Sequence, residues 1–397
     1  MERIENLILG ATLAGLATAT VASATTATTA TAHPGHERPE LHGADAESAS
    51  ENFEGLDFDL SEHLTVSGII VGAYQFQEVS GAGENAGAIT IRPSFDLAVS
   101  DLDHFHATVA LAGGNQVNDV SPFSIAPWAA DLEDDLRDIN GSGRDFLQTA
   151  WYRRTFGFEG GSLNIIGGII DSSEYLDQNA FANDEYVHFM NEVFVNSSQN
   201  FLPSYDVGLA MELSSGAWSV NAAVMRVSEN EDGNDHLFAG VQVGHRSENA
   251  FGEVNHRLTV SWTDDECLDP SGMDTEGLLG LTYSYDQMVS EHLGIWARAG
   301  LQDDSAAVAH DMLVSLGLHL GGSAWGRPQD ELGVGYGWLE GGNTGVDRTQ
   351  VAEAYMRFGL GGSIAATLDV QYIDDAYDMA ANDVDGLVLG GRLTVEF

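Results

Sequence analysis

The chain has 397 residues, and 61 Asp and Glu side chains stand against 15 basic ones, all arginine, for a formal net charge of -46. So acidic a molecule repels phosphate backbones, which excludes a nucleic-acid partner; it suits either a salty habitat that screens self-repulsion or a pore that attracts cations. No run of about 18 apolar residues follows the N-terminal region, so a helical membrane span is excluded, but a β-barrel is not, since its strands need only about 9–11 residues, half of them apolar.

The N-terminus, MERIENLILGATLAGLATATVASATTATTATAHPGH, reads as a secretory signal over residues 1–32. Its apolar region runs from Leu7 to Val21, and Ala22-Ser23-Ala24 and Ala30-Thr31-Ala32 offer small-residue cleavage sites near 24 or 32. Glu2 and Glu5 outweigh Arg3 where such a signal is usually positive, and the competing reading is a low-complexity tail. Residues 33–62 then read as a flexible periplasmic segment. Its His33, His36 and His42 stand in no metal-binding framework and read as solvated.

From His63 to Phe397 the apolar residues recur with a period of two. HLTVSGIIVGAYQFQ sets Leu64, Val66, Ile70, Tyr74 and Phe76 on one face. AITIRPSFDLAVS sets Ile89, Ile91, Phe95, Leu97 and Val99 against Arg92, Ser94 and Asp96. SIAATLDVQYI sets Ile364, Leu368, Val370 and Tyr372 against Thr367, Asp369 and Gln371. Similar segments fall near 104–114, 145–158, 161–171, 205–214, 217–228, 235–247, 255–263, 277–289, 292–303, 310–320, 331–340 and 350–361. With the terminal GLVLGGRLTVEF the tally is about sixteen, an even number as single-chain bacterial barrels have. In that last segment Leu387, Leu389, Leu393 and Val395 are expected to face lipid, Arg392 and Glu396 to face the lumen, and Phe397 to close the strand.

Short connectors at 101–103, 159–160, 214–216, 290–291 and 361–362 alternate with longer, acidic ones at 115–144, 172–204, 264–276, 341–349 and 375–385. A soluble sandwich or propeller also alternates along its strands but needs no such alternation of loop classes. The expectation is an all-β protein, a transmembrane antiparallel β-barrel over 63–397, with long loops outside the cell and both termini in the periplasm.

No nucleophile motif, phosphate loop, paired cysteines or HExxH occurs, so neither an enzyme nor a cofactor or metal is expected, and the one cysteine, Cys267, has no ligand-like spacing around it. What remains is passage through the lumen. A sugar path offers aromatic faces to the apolar side of a pyranose, and Arg and carboxylate groups to its hydroxyls. Facing parity places Trp151 with Arg153, Arg92 with Asp96, and Trp296 with Arg298 inside, joined by Glu353, Arg357, Asp369 and Gln371. For each the plainer reading is a solvated wall or an Arg–carboxylate ladder bracing the barrel.

Three stretches resemble the carbohydrate-selective porin family (the OprB type). In GGIIDSSEYLDQNAFANDEYVHFMNEVFVN the matching positions are Gly168, Asp171, Tyr175, Asp177, Asn179, Asn183, Asp184, Phe189 and Asn191. WGRPQDELGVGYGW is similar to the family's turn and strand through Gly326, Arg327, Asp330 and Gly333. AEAYMRFGLGGSIAATLDVQYI is similar to its Glu-x-Tyr-x-Arg strand followed by Asp-Val-Gln-Tyr. The resemblance implies an outer-membrane pore that admits small sugars by diffusion, with Asp171, Tyr175, Asp177, Asn179 and Asn183 among the sugar-contact candidates, and the loop 172–204 folded toward the pore. The terminal Phe397 resembles the sorting signal that outer-membrane barrels show to their assembly machinery. Two departures stand out: Asp374-Asp375 replaces the family's Asn-Pro, and the acidity leaves open a general, cation-leaning porin without a sugar site.

Overall fold

The structure, a computed structural model, describes residues 58–59, 63–125, 136–137, 139–228 and 233–397. The signal, His33, His36 and His42, and the acidic run 131–135 lie outside the described residues. Sixteen antiparallel strands form the barrel. They are β1 (Leu64–Val79), β2 (Ala82–Ser100), β3 (Asp103–Val109, resumed at Leu111–Gly113), β4 (Leu147–Phe158), β5 (Gly161–Ile170), β6 (Asp206–Ser215), β7 (Trp218–Val227) and β8 (His236–Asn249). They continue as β9 (Gly252–Thr263), β10 (Leu279–Met288), β11 (Leu293–Gln302), β12 (His310–Gly321), β13 (Glu331–Gly341), β14 (Val346–Gly361), β15 (Ile364–Tyr377) and β16 (Val384–Glu396). Each pairs with the next, and β16 returns to β1, from Ile69 opposite Glu396 to Val79 opposite Gly386. Closure leaves no unpaired edge, the condition for a sheet to sit in hydrocarbon.

The alternation read from the sequence becomes two opposed faces. Leu209, Leu368 and Leu389 point outward with 64%, 63% and 51% of their surface exposed, while Thr90, Gln242, Ser261, Thr282, Ser315 and Gln371 point inward and are buried. A water-soluble protein sorts its residues the other way; a barrel surrounded by lipid sorts them this way. Exposed aromatics gather toward the two ends of the strands, Phe156, Phe158 and Trp218 toward one and Tyr74, Phe76 and Trp262 toward the other, as membrane interfaces favour.

On β16, Leu387 and Leu389 face outward, and Arg392 is buried inside. Val395 departs from the expectation: it is only 8% exposed, wedged between its partners Ile70 and Ile364. Phe397 closes the strand by exchanging two backbone hydrogen bonds with Gly68, at 2.7 and 2.9 Å. A Cβ on Gly68 would lie 2.7 Å from the Phe397 ring, so that ring requires a glycine beneath it. Below this point β1 keeps a partner, because Phe58–Asp59 pairs with Val66 and Thr65. Strand pairing therefore reaches into the segment that the sequence assigned to a flexible lead-in.

Long and short connectors alternate around the two rims with three exceptions, one of them the β13–β14 connection, which shrinks from the expected 341–349 to 342–345 and is no longer than the 289–292 turn of the other rim. β1 and β2 extend to a two-residue turn at Ser80-Gly81 on the long-loop rim, both residues at positive φ (52° and 80°) as a hairpin of this length demands. On the other rim the β12–β13 connection spans 322–330. There Arg327 donates to both oxygens of Asp330 at 2.6 and 3.1 Å, and Asp330 accepts the Gly359 N–H at 3.1 Å. The Gly326, Arg327 and Asp330 motif thus builds a folded turn. A second correction concerns β15, which runs to Tyr377, so Asp374 and Asp375 lie in the strand and not in a loop. Asp374 pairs with Arg348 at 3.5 Å, and Asp375 accepts hydrogen bonds from Ser124 N–H (2.5 Å) and the Thr349 hydroxyl (2.6 Å). Pairing with β14 on one side and β16 on the other satisfies their backbone, which outweighs the low strand propensity of aspartate.

Candidate functional site

The β5–β6 connection, residues 171–205, folds into the barrel and reaches wall residues from β7 round to β16 and β1. Local chemistry shapes it first. Asp171 caps a single 3-10 turn by accepting the Ser173 N–H at 2.9 Å, and Asn191 caps the short helix Glu192–Val195 through the Val193 N–H at 3.1 Å. Asp177 takes positive φ (57°), a conformation aspartate tolerates better than most residues.

The wall then holds the loop through its inward polar groups. Tyr175 O accepts Asn221 of β7 at 2.9 Å. Asn179 donates to the Ser284 hydroxyl at 3.0 Å and the Tyr285 carbonyl at 3.2 Å on β10. Glu353 of β14 accepts the N–H groups of Met190 (2.5 Å) and Asn191 (3.0 Å). Asn191 also donates to Gln371 at 3.1 Å, and Asp369 accepts from Gln371 at 2.9 Å. Arg392 donates to the carbonyls of Glu185 and His188. Arg298 of β11 lies against Asp177 at 3.1 Å with both side chains fully buried, and Asn183 lies within 3.5 Å of the same guanidinium. Phe189 packs on Phe194, Trp296 and Tyr355 with ring centroids 4.9–5.5 Å apart.

Glycines make room for this insertion. A Cβ on Gly280 would fall 1.9 Å from the Gln199 carbonyl, one on Gly337 2.5 Å from Val193, and one on Gly240 2.4 Å from Leu176. These residues were missed by sequence reasoning, although a signal existed: in GVGYGW, Gly333, Gly335 and Gly337 hold three successive inward positions of β13 while Val334 and Tyr336 point out.

The sequence-derived candidates separate into two groups. Trp296, Arg298 and Glu353 on the wall, and Asp177, Asn179 and Asn183 on the inserted loop, meet one another and are taken up in holding the loop. Arg357, 4% exposed, lies 3.6 Å from Glu396. Around β2–β6 the picture differs. Asp96, His106, Trp151 and Gly168 stand side by side across four strands. Asp96 contacts His104 at 2.9 Å and His106 at 2.8 Å, and His106 stacks on Trp151 at 4.7 Å. Arg153 sits 5.9 Å from the Trp151 ring, while Arg92 bonds Gln148 at 2.8 Å and lies over Tyr186 at 5.1 Å. Trp151 is 7% exposed, and it packs in one cluster with Tyr175. Glu174 is partly exposed; enclosure by the barrel, and then the neighbouring Asp171 charge, push its carboxyl up to about 8. Arg92, Asp96, Arg153, Glu174 and Glu212 therefore form the mixed-charge face of the lumen that keeps contact with solvent.

Residues 270–397 match the family model for the carbohydrate-selective porin, OprB family. An uncharacterized protein of Aquifex aeolicus is 28% identical over 290 residues, 72% of this chain and 80% of its own. In fold the barrel is similar to OprB of Pseudomonas putida at high pH, with TM-score 0.66 and 14% identity over 84% of this chain and 94% of that one. It is also similar to an anion-selective porin from Comamonas acidovorans, with TM-score 0.54 and 10% identity over 84% and 99% of the two chains. By sequence, residues 270–397 are similar to the carbohydrate-selective OprB porin family, and by fold the whole barrel is similar to that of outer-membrane porins.

Proposed function

We propose that the protein passes carbohydrates and other small solutes into the periplasm by diffusion and works as a channel, not as a catalyst. The observation that carries this reading is a closed barrel whose interior is narrowed by loop 171–205, next to a solvent-touching face of Arg92, Asp96, Arg153, Glu174 and Glu212. Guanidinium and carboxylate groups donate to and accept from hydroxyls on one molecule, which suits polyols better than ions of either sign. Trp151 lies beneath Arg153 and against His106 at this face, and Asp171 and Tyr175 belong to the adjoining loop. Binding is weak, since a transport site must release what it takes. Lipid surrounds the apolar outer face, long loops lie outside the cell, and Phe397 is the residue that the assembly machinery reads. Swelling of proteoliposomes tests the sugar preference: sugars enter faster than neutral non-sugars of equal size, and Arg153→Ala narrows the difference. Equal rates would leave a general porin.

That second reading has its own support in the acidic β9–β10 connection, with Asp264, Asp265, Glu266 and Asp269. Their field concentrates cations at the mouth and is screened over about 10 Å at 0.1 M salt but about 3 Å at 1 M. Reversal potentials in a KCl gradient are expected to show moderate cation preference that declines between those concentrations. A preference unchanged by salt would place the controlling charges deep in the lumen instead.

A further inference from the structure

We propose that Arg298 is the residue that positions the constriction: its guanidinium, acting through the backbone of loop 171–205, holds that loop in the lumen and so sets the size of solute that passes. The inference rests on the diffusion-channel reading above.

The side chain is wholly buried, as is that of Asp177 beside it. Its Nη2 donates to the carbonyls of Ala182 (2.8 Å), Asp177 (3.1 Å) and Val195 (3.3 Å), and its Nη1 to that of Phe194 (3.4 Å). These carbonyls come from two separate arms of the loop, 177–182 on the way in and 194–195 on the way back. One planar group therefore ties both arms to each other and to β11. The wall is cut to admit it. The residues opposite Arg298 are Ser284 on β10 and Ser315 on β12, and Gly300 is the next inward residue on β11. A Cβ on Gly300 would lie 2.7 Å from the Ser197 hydroxyl of the returning arm.

Only arginine meets this set of acceptors. Its five donors spread in a rigid plane, whereas a lysine ammonium is a single point that cannot reach carbonyls on both arms. A buried charge is costly unless it is paired and hydrogen-bonded; here Nη1 and Nη2 meet four carbonyls, while Nε faces Asp177 Oδ1 as an ion pair without a hydrogen bond. Removing the guanidinium leaves those carbonyls without a donor in a dry site, so the loop gains by leaving it.

The test compares full-length wild type, Arg298→Met, Arg298→Lys and the double variant Asp177→Leu/Arg298→Met in planar bilayers. A size series of neutral sugars in liposome swelling gives the cut-off, and heat-modifiable gel migration reports the folded barrel independently. The expected result is a folded Arg298→Met barrel with severalfold higher conductance and a larger cut-off. Arg298→Lys is expected to widen it as well, and the double variant to stay wide because the carbonyls remain unpaired. Should Arg298→Met not fold, Arg298→Lys carries the comparison. Wild-type conductance and cut-off in the folded single variants would overturn the proposal, and so would restoration by the double variant, which would reduce Arg298 to a counter-ion. A residue that only stabilised the barrel would lower its unfolding temperature and leave the cut-off in place. A wild-type protein that conducts nothing would instead defeat the channel reading.

Discussion

Two chain segments cover the inner wall from the same rim, and they are held by different chemistry. Loop 171–205 meets charged or hydrogen-bonding groups at nearly every turn, among them Asn221, Arg298, Glu353 and Arg392. The segment after β3 runs the other way along the wall, from Val120 on Gln77 (2.9 Å) to Ser124 on Asp375, with Phe123 and Ile125 packed on Ile373 and Val388. Both amide atoms of Gln75 on the wall and of Gln116 in the segment are buried without a hydrogen-bond partner, as is Oε1 of Gln77. Each such group costs about 1–3 kcal/mol. Both segments carry apolar packing and both leave buried polar atoms unmet, Asp177 Oδ1 and Asn200 Nδ2 in the first and the Gln116 amide in the second. What separates them is the number of charged wall groups on their backbone: Arg298, Glu353 and Arg392 hold the first, and Asp375 alone is the charged anchor described for the second.

The largest expected effect comes from cutting a bolt on each side. Glu353→Leu leaves the Met190 and Asn191 N–H groups without an acceptor and is expected to cost about 3 kcal/mol in denaturant unfolding, with a rise in conductance. Asp375→Leu removes the anchor of the other segment and is expected to cost about 1–2 kcal/mol with little change in the size cut-off. Equal effects on the cut-off would erase the distinction.

Sterics give the next test. Gly280→Val drives a side chain into the Gln199 carbonyl and is expected to loosen the returning arm of loop 171–205, read as a larger cut-off. Gly391→Ala on β16 meets nothing within 4 Å and should change neither conductance nor cut-off. A smaller effect of opposite sign is expected from Gln75→Leu combined with Gln116→Leu. Replacing unmet amides by apolar groups should stabilise the barrel by about 1–2 kcal/mol. Destabilisation would show that those amides are solvated.

The smallest effect is a titration. Glu174, with its carboxyl raised to about 8, is neutral below that pH and gains a negative charge above it. Cation preference should therefore increase modestly between pH 7 and 9, and Glu174→Gln should flatten that step. A preference that falls over the same range would contradict the assignment.

The strands were legible because a barrel in lipid imposes one rule on every residue: alternate ones meet hydrocarbon. That rule located all the staves and put Arg92, Trp151, Arg298 and Glu353 inside. It says nothing of what stands opposite an inward group. Arg298 and Glu353 look like members of a solvated lumen wall in the sequence, yet they meet backbone from a loop more than a hundred residues away in the chain. Asp374 and Asp375 look like loop residues because they stand where the resembling family has Asn-Pro, but partners on β14 and β16 keep them in β15. The glycine positions of β13 carried the missing information, since an inward glycine marks a place where another backbone comes close.

The seam between β1 and β16 has a consequence for how the molecule comes into being. It joins Ile69 to Glu396, near the two ends of the barrel sequence, so this ladder closes the longest chain loop among the described strand pairs. Such distant pairing makes folding slow, and until it is complete two strand edges stand open to neighbouring chains. Arg392, which holds the inserted loop, sits on the closing strand itself. The ladder that seals the wall therefore also carries one of the loop's anchors, so a barrel open at this seam lacks both its closed wall and its Arg392 clamp on the loop.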